Sequence, residues 1–268
     1  MKHHDLKNIN KELWDHWASL HPDSDFYDNA TFIKQQMSLN PIELDLMPDL
    51  KGKRALHVQC HFGQDTISLH TLGAKEVVGL DFSEVAVRAG EQLVRACGVD
   101  PAVHFVQSDA VIPIPHLQGT FDVVFASYGV IGWHPDPKEW MDTVFSYLKP
   151  GGELIFVEFH PVLWILDDQF KEVIYSYFND GVITEEREGS YAAPQAKNMK
   201  NHTWNHGLSE VIKPIVDHPD RTLDYFNEYD WSPYEIFEAT SPAEGRYQIK
   251  GKEGMFPLVY ALKAKKIR

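Results

Sequence analysis

Residues 54–84 read RALHVQCHFGQDTISLHTLGAKEVVGLDFSE. Arg54 to Val58 is short and mostly apolar, as a strand buried in a parallel sheet is, and Gln59 to Gly63 forms the turn after it. Gln64 to Leu72 follows as a helix that buries Ile67, Leu69 and Leu72. Val77 to Leu80 is a second buried strand, with Asp81 at its carboxyl end. In a doubly wound sheet, ligands sit beyond the carboxyl ends of the strands. A carboxylate there, roughly 20 residues past a glycine turn, is placed to accept hydrogen bonds from a ribose diol. The stretch therefore points to an adenosine-containing cofactor.

The same alternation extends outward. Ser83 caps a helix whose stripe is Val85, Ala89 and Leu93, and Val103 to Gln107 and Phe121 to Ala126 are strands. Asp136-Pro137-Lys138-Glu139 opens another helix, with an acidic cap, proline at the first position and Glu at the third. Its core face is Trp140, Val144 and Leu148, Pro150-Gly151-Gly152 stops it, and Glu153 to Phe159 is the fifth strand. Upstream, helices are expected over residues 9–20 and 31–39, the second broken by Asn40-Pro41. Downstream, residues 161–205 are aromatic and aperiodic, which suggests an inserted cap of short strands and loops. A helix over 206–217, bent near Pro214, and strands near 222–229 and 256–264 close the sheet.

A chain of 268 residues with 43% hydrophobic and 24% charged residues buries a sizeable core. A formal charge of −14 disfavours a nucleic-acid partner. No apolar run approaches the 18 or so residues of a membrane span, and MKHHDLKN lacks the apolar centre of a signal peptide. Cys60 and Cys97 are too few for a metal cluster or a disulfide framework; reduced thiols fit a cytoplasmic protein. Nothing in the sequence sets an oligomeric state.

Five blocks in order, LHVQCHFG, GLDFS, QSDA, FDVVFASYG and LKPGGELIFVEFHP, resemble a class I S-adenosylmethionine-dependent methyltransferase, and within that class a bacterial subgroup whose first motif reads L-H-x-Q-C-H-F-G. The likeness runs over about residues 9–160, with Trp204-Asn205-His206 and Asn227-Glu228 also fitting the subgroup. It implies an α/β, Rossmann-like, doubly wound sheet of seven mostly parallel strands with a cap inserted after strand five. The implied division is a helical segment 1–52 over the active site, a core of 53–160 and 206–268, and a substrate cap of 161–205. One departure stands out. The acidic position of the usual glycine-rich turn is His57, and its three glycine positions hold Gln59, His61 and Gly63. Pyrophosphate needs the close backbone approach that glycine allows, so the crowded turn favours a sulfonium cofactor over a nicotinamide dinucleotide.

The resemblance assigns cofactor contacts by position. Gln59, His61 and Gly63 face the methionine end, Asp81 holds the ribose hydroxyls with Phe82 and Ser83 beside it, and Asp109 and Ala110 address adenine. Ser127 and Tyr128 end strand four beside the reacting centre. Methyl transfer is an in-line displacement, in which orientation does most of the work and a base is needed only if the acceptor must lose a proton. Candidates for base or orienter are Tyr128, Trp133, His134, Glu158, His160 and His206, with His160 first because imidazole titrates near neutrality. His160, Glu158 and His206 lack the short ligand spacing of a metal site. Ala126-Ser127-Tyr128-Gly129 is not the Asn/Asp-Pro-Pro-aromatic motif of amino-methylating DNA enzymes, so a small apolar or aromatic acceptor under an aromatic cap is expected. The alternatives are a non-catalytic module of the same fold that binds S-adenosylmethionine or S-adenosylhomocysteine, and a nicotinamide oxidoreductase.

Overall fold

The computed structural model describes residues 3–167, 169–236, 240–243 and 245–268. Residues 1–2, 168, 237–239 and 244, which fall within the expected N-terminal segment, cap and core, lie outside the described residues. Five strands, β1 (Arg54–Val58), β2 (Glu76–Asp81), β3 (Val103–Gln107), β4 (Phe121–Ser127) and β5 (Leu148–Phe159), pair in parallel. The later strands β8 (Arg221–Tyr229) and β11 (Val259–Lys266) complete a sheet of order β3-β2-β1-β4-β5-β11-β8, in which β11 runs antiparallel to both neighbours. The order reverses between β1 and β4, and the crevice at such a reversal takes the ligand.

The central strands are buried on both faces, and their alternation separates two cores. Leu56, Val78, Val124 and Phe156 pack with Trp140 and Val144 of α6 (Pro137–Tyr147) and Val211 of α7 (Leu208–Val216). Ala55, Val77, Val123 and Ile155 face the other way, toward Ile42 of α3 (Pro41–Leu46), Ile67 of α4 (Gln64–Thr71) and Leu93 of α5 (Glu84–Cys97). The helix starts use their caps as the sequence implies. The Ser83 hydroxyl accepts from Ala86 N–H at 3.1 Å, and Asp136 accepts from Lys138 N–H at 2.8 Å.

Several boundaries move. The first helix, α1, covers His3–Ala18 rather than 9–20. The second, α2 (Asn29–Gln35), stops early because Gln36 is left-handed (φ 51) and donates its N–H back to Phe32. Pro41 then begins α3 as its first residue instead of making a turn, since a proline at that position has no N–H to lose. Leu148 belongs to β5 and not to α6: it pairs with Phe121, so the strand starts before Pro150-Gly151-Gly152. The hairpin of β9 (Thr240–Ala243) and β10 (Arg246–Ile249) carries no clear period in the sequence.

Residues 161–205 contain a ribbon of β6 (Ile183–Arg187) and β7 (Met199–Thr203). Helix α1 lies against it. The Asn10 side chain donates to the His202 carbonyl at 2.7 Å and accepts from its N–H at 2.8 Å. Leu13 and Trp17 pack on Ala193 and Ala196. Among the described residues, no helix is long and apolar enough to cross a membrane.

Candidate active site

A cavity of about 580 Å³ opens at the carboxyl ends of β1, β2, β3 and β4. Its first end is made of consecutive strand-to-helix turns. Asp81 is buried and its carboxylate ties two of them together, accepting from His61 N–H at 2.8 Å and Ser83 N–H at 2.9 Å. Burial pushes its pKa up to about 7 against those two bonds, which favour the charged form. Phe82, Asp109 and Ala110 line the same end. At Asp109 burial is outweighed by hydrogen bonds from Lys7 Nζ (2.8 Å) and Val111 N–H (3.1 Å), so its pKa falls below the usual value. Lys7 lies on α1, as does Asp15, which accepts from the Ser83 hydroxyl at 2.6 Å. The N-terminal helix thus closes over this end through two polar contacts.

The turn itself is crowded, as its composition implies. Gln59 (φ 56) and His61 (φ 52) both adopt the left-handed conformation that glycine would take without strain. Gly63 (φ 82) is required for a reason the sequence did not reveal. A Cβ there would lie 2.4 Å from the Phe105 ring, which also fills the space beside Gly79 and Gly90. The glycine serves strand–helix packing. His57, at the usual acidic position, bonds Thr66 Oγ1 at 2.9 Å, and burial lowers its pKa to about 3, so the position is neutral.

Three expected site residues are engaged by the protein itself, and of these only Gln59 lines the cavity. Gln59 turns its amide into the protein: it donates to the Val130 carbonyl (3.1 Å) and accepts from Trp140 Nε1–H (2.8 Å) and His134 Nε2–H (3.1 Å). It fastens β1 to α6, which leaves its backbone toward the cavity. Ser83 is fully buried as a helix cap and is not in the cavity wall. His160, the first choice for a base, is also outside the wall. Its Nδ1 accepts from Val162 N–H at 3.2 Å and its Nε2 is 2.8 Å from Glu228 Oε1, the geometry of a hinge after β5. Burial lowers its pKa despite Glu228.

The other candidates divide. Glu158 accepts N–H bonds from Gly129, Val130, Ile131 and Phe159 and so anchors the loop after β4. His206 does line the cavity, but its Nε2–H donates to the His134 carbonyl at 2.7 Å and its Nδ1 is 2.9 Å from Glu210 Oε2, so both nitrogens are engaged. Tyr128 lines the cavity in a left-handed conformation (φ 43), and its buried hydroxyl makes no hydrogen bond of good geometry. Burial and the neighbouring Glu43 hold that phenol protonated. Trp133 stands edge-on to Trp14 with ring centroids 5.4 Å apart. Among the described residues, no group of three or more His, Cys, Asp or Glu side chains is arranged for a metal ion.

The aromatic part of the cavity wall comes from distant segments, and its Tyr27 ring lies 5.7 Å from that of His61. Tyr27, Tyr128, Trp164, Tyr191 and Tyr234 form it, and the Tyr27 and Tyr191 hydroxyls bond at 2.6 Å. Asp65 stands in the same wall, on the first turn of α4, accepting from the hydroxyls of Ser38 (2.5 Å) and Ser127 (3.3 Å). Nothing in the sequence marked Asp65, Tyr27 or Tyr234, because their proximity is tertiary.

The first end suits the cofactor that the fold implies. Asp81 supplies a carboxylate at the end of β2, and His61 and His134, both in the cavity wall, each keep a buried Nδ1 without a protein partner. A family model described as "Methyltransferase domain" matches residues 55–152. A demethylmenaquinone methyltransferase of Lactococcus lactis is 28% identical, over 82% of this chain and 81% of its own length. The ubiquinone/menaquinone biosynthesis C-methyltransferase UbiE of Pasteurella multocida is 31% identical, over 66% of this chain and 65% of its own length. Other curated demethylmenaquinone methyltransferases are matched over about half to two thirds of their length, 53% and 65% in two cases. Two solved structures share the fold. One, described as a putative S-adenosylmethionine-dependent methyltransferase from Listeria monocytogenes, has a TM-score of 0.61 at 20% identity, covering 84% of this chain and 95% of that one. The other, a geranyl diphosphate C-methyltransferase of Streptomyces coelicolor with S-adenosyl-L-homocysteine bound, has a TM-score of 0.56 at 11% identity, covering 85% and 77%. The chain is an S-adenosylmethionine-dependent methyltransferase, similar over these segments to the class I enzymes, and S-adenosylmethionine is its cofactor.

Proposed function

We infer that this enzyme methylates a small molecule held in the aromatic end of the cavity, beneath residues 161–205. The observation that carries the reading is continuity: one cavity joins Asp81 and Asp109 to Trp164, Tyr191 and Tyr234. S-adenosylmethionine supplies an electrophilic methyl carbon on a sulfonium. Asp81 accepts from the ribose hydroxyls with the lone pairs not used by His61 and Ser83 N–H. Asp109, Ala110 and Phe82 hold adenine. Helix α1, pinned by Lys7 and Asp15, excludes water from that end. Tyr128 orients the acceptor as a hydrogen-bond donor, because a phenol held protonated does not serve as a base.

Ring-bearing acceptors suit aromatic walls. The curated relatives named for quinone biosynthesis make hydroxylated rings the first compounds to try. The test has two stages. Calorimetry with S-adenosylhomocysteine is expected to show one site per chain, and incubation with methyl-labelled cofactor and an acceptor panel is expected to yield a labelled small molecule. Binding with no labelled product from any small-molecule fraction would leave a non-catalytic binding module as the better account.

A further inference from the structure

Asp65 is poorly explained as a helix-capping residue. It sits in the first turn of α4, yet its carboxylate accepts no helix N–H and instead reaches Ser38 and Ser127. Its hydrogen-bond partners are two neutral hydroxyls, and among the described residues no lysine, arginine or histidine pairs with it. Around it stand Tyr27, Tyr128 and Tyr234, whose phenols all feel its charge. Behind Tyr128 lies a second acid, Glu43, 1% exposed, with Oε2 unpartnered. Asp65 and three tyrosines thus line one cavity whose two cations, Lys7 and Arg187, pair with other carboxylates, so that Asp65 has no balancing partner among the described residues. A carboxylate in such surroundings is costly unless a positive partner arrives. Ring faces and a carboxylate together select an organic cation.

We propose that Asp65, with Tyr27, Tyr128 and Tyr234, forms a subsite for an organic ammonium group. The proposal rests on the methyl-transfer reading above and adds the chemistry that this part of the cavity recognises. Two sources supply such a group: the amino-acid end of the cofactor, or an amine acceptor. If the amine is the acceptor, its ammonium gives a proton to Asp65. The freed nitrogen pair then forms the N–C bond to the methyl carbon as the C–S bond breaks, and the electron pair of that bond returns to sulfur. The products are S-adenosylhomocysteine and the methylated ammonium.

The test compares wild type with Asp65→Asn, which keeps the shape and removes the charge, and with Asp65→Glu, which restores charge one methylene further out. Binding is measured by calorimetry for S-adenosylhomocysteine, which carries an ammonium, and for 5′-methylthioadenosine, which does not. Turnover is measured on matched amine and phenol panels. If the cofactor supplies the ammonium, Asp65→Asn weakens S-adenosylhomocysteine by about tenfold to a hundredfold, as loss of a charged hydrogen bond does, leaves methylthioadenosine unchanged, and Asp65→Glu recovers part of the loss. If the acceptor supplies it, both nucleosides bind as before and amine methylation falls by a similar factor while phenol methylation does not. Equal weakening of both nucleosides, or no change in binding and turnover, overturns the subsite. Failure of the wild type to bind S-adenosylhomocysteine at all would instead count against the parent reading, so the two failures are distinct. Thermal melts of the variants confirm that each is folded when assayed.

Discussion

The two ends of the cavity are built in opposite ways. At the cofactor end, Asp81, Phe82, Asp109 and Ala110 come from successive strand-to-helix turns, and backbone N–H groups hold both carboxylates in place. At the aromatic end, Tyr27, Tyr128, Tyr191 and Tyr234 come from segments spread along the chain, and the hydroxyls of Tyr27, Tyr191 and Tyr234 bond one another or a single side chain. The first end is fixed by local geometry and the sheet. The second exists only when the segment between α1 and α2, the loop after β4, the segment 161–205 and the segment after β8 have all docked. A cofactor common to a fold can be held by the fold's own turns, whereas an acceptor must be recognised by whatever the chain adds to them.

The comparison breaks most severely if the first turn fails. Gly63→Ala forces a Cβ into the Phe105 ring at a left-handed position, and is expected to cost on the order of 3 kcal/mol of unfolding free energy. Chemical denaturation measures it, and Phe105→Leu in the same chain is expected to recover part of the loss by opening the space. A stable Gly63→Ala protein would mean that the turn is softer than its packing implies.

Asp81→Ala removes charged hydrogen bonds to the ribose and is expected to weaken S-adenosylhomocysteine by about 1–3 kcal/mol. An unchanged dissociation constant in the folded variant would take Asp81 out of the site. The aromatic end offers a pH signature. Burial raises the Glu43 pKa from 4.5 to about 7, so the folded chain keeps a proton that the unfolded chain releases. Its contribution is full below about pH 4.5 and is lost as pH rises through about 7, by about 3 kcal/mol. Denaturation of Glu43→Gln across that range is expected to show a shallower decline than wild type, and parallel curves would place Glu43 in contact with water.

The smallest effect separates neighbours in sequence. Ser83→Ala, two residues from Asp81, is expected to cost about 1 kcal/mol of stability as a lost cap, with little change in cofactor affinity measured on the folded protein. A loss of affinity as large as that of Asp81→Ala would return Ser83 to the cofactor contacts.

Much of this architecture was legible in the order of short apolar runs and capped helices. The five parallel strands, the caps at Ser83 and Asp136, and Asp81 at a strand end follow from periods and chain chemistry that act within about ten residues. Misplaced boundaries had local causes that compete closely in energy. Gln36 takes a left-handed turn without glycine, and Pro41 starts a helix where it was expected to break one. The histidines were harder. An imidazole after a strand has the same sequence signature whether it faces a ligand or caps a hinge, and only the partners of His160 and His206 separate the two.

By itself, the sequence determined a doubly wound sheet with a carboxylate at the end of its second strand, because hydrophobic period and turn composition act between near neighbours. Tertiary structure alone decided that Gln59 braces α6, that Gly63 makes room for Phe105, and that Asp65 meets three tyrosines. Those relations depend on distances between residues far apart in the chain, and burial sets their chemistry only once the layers have closed.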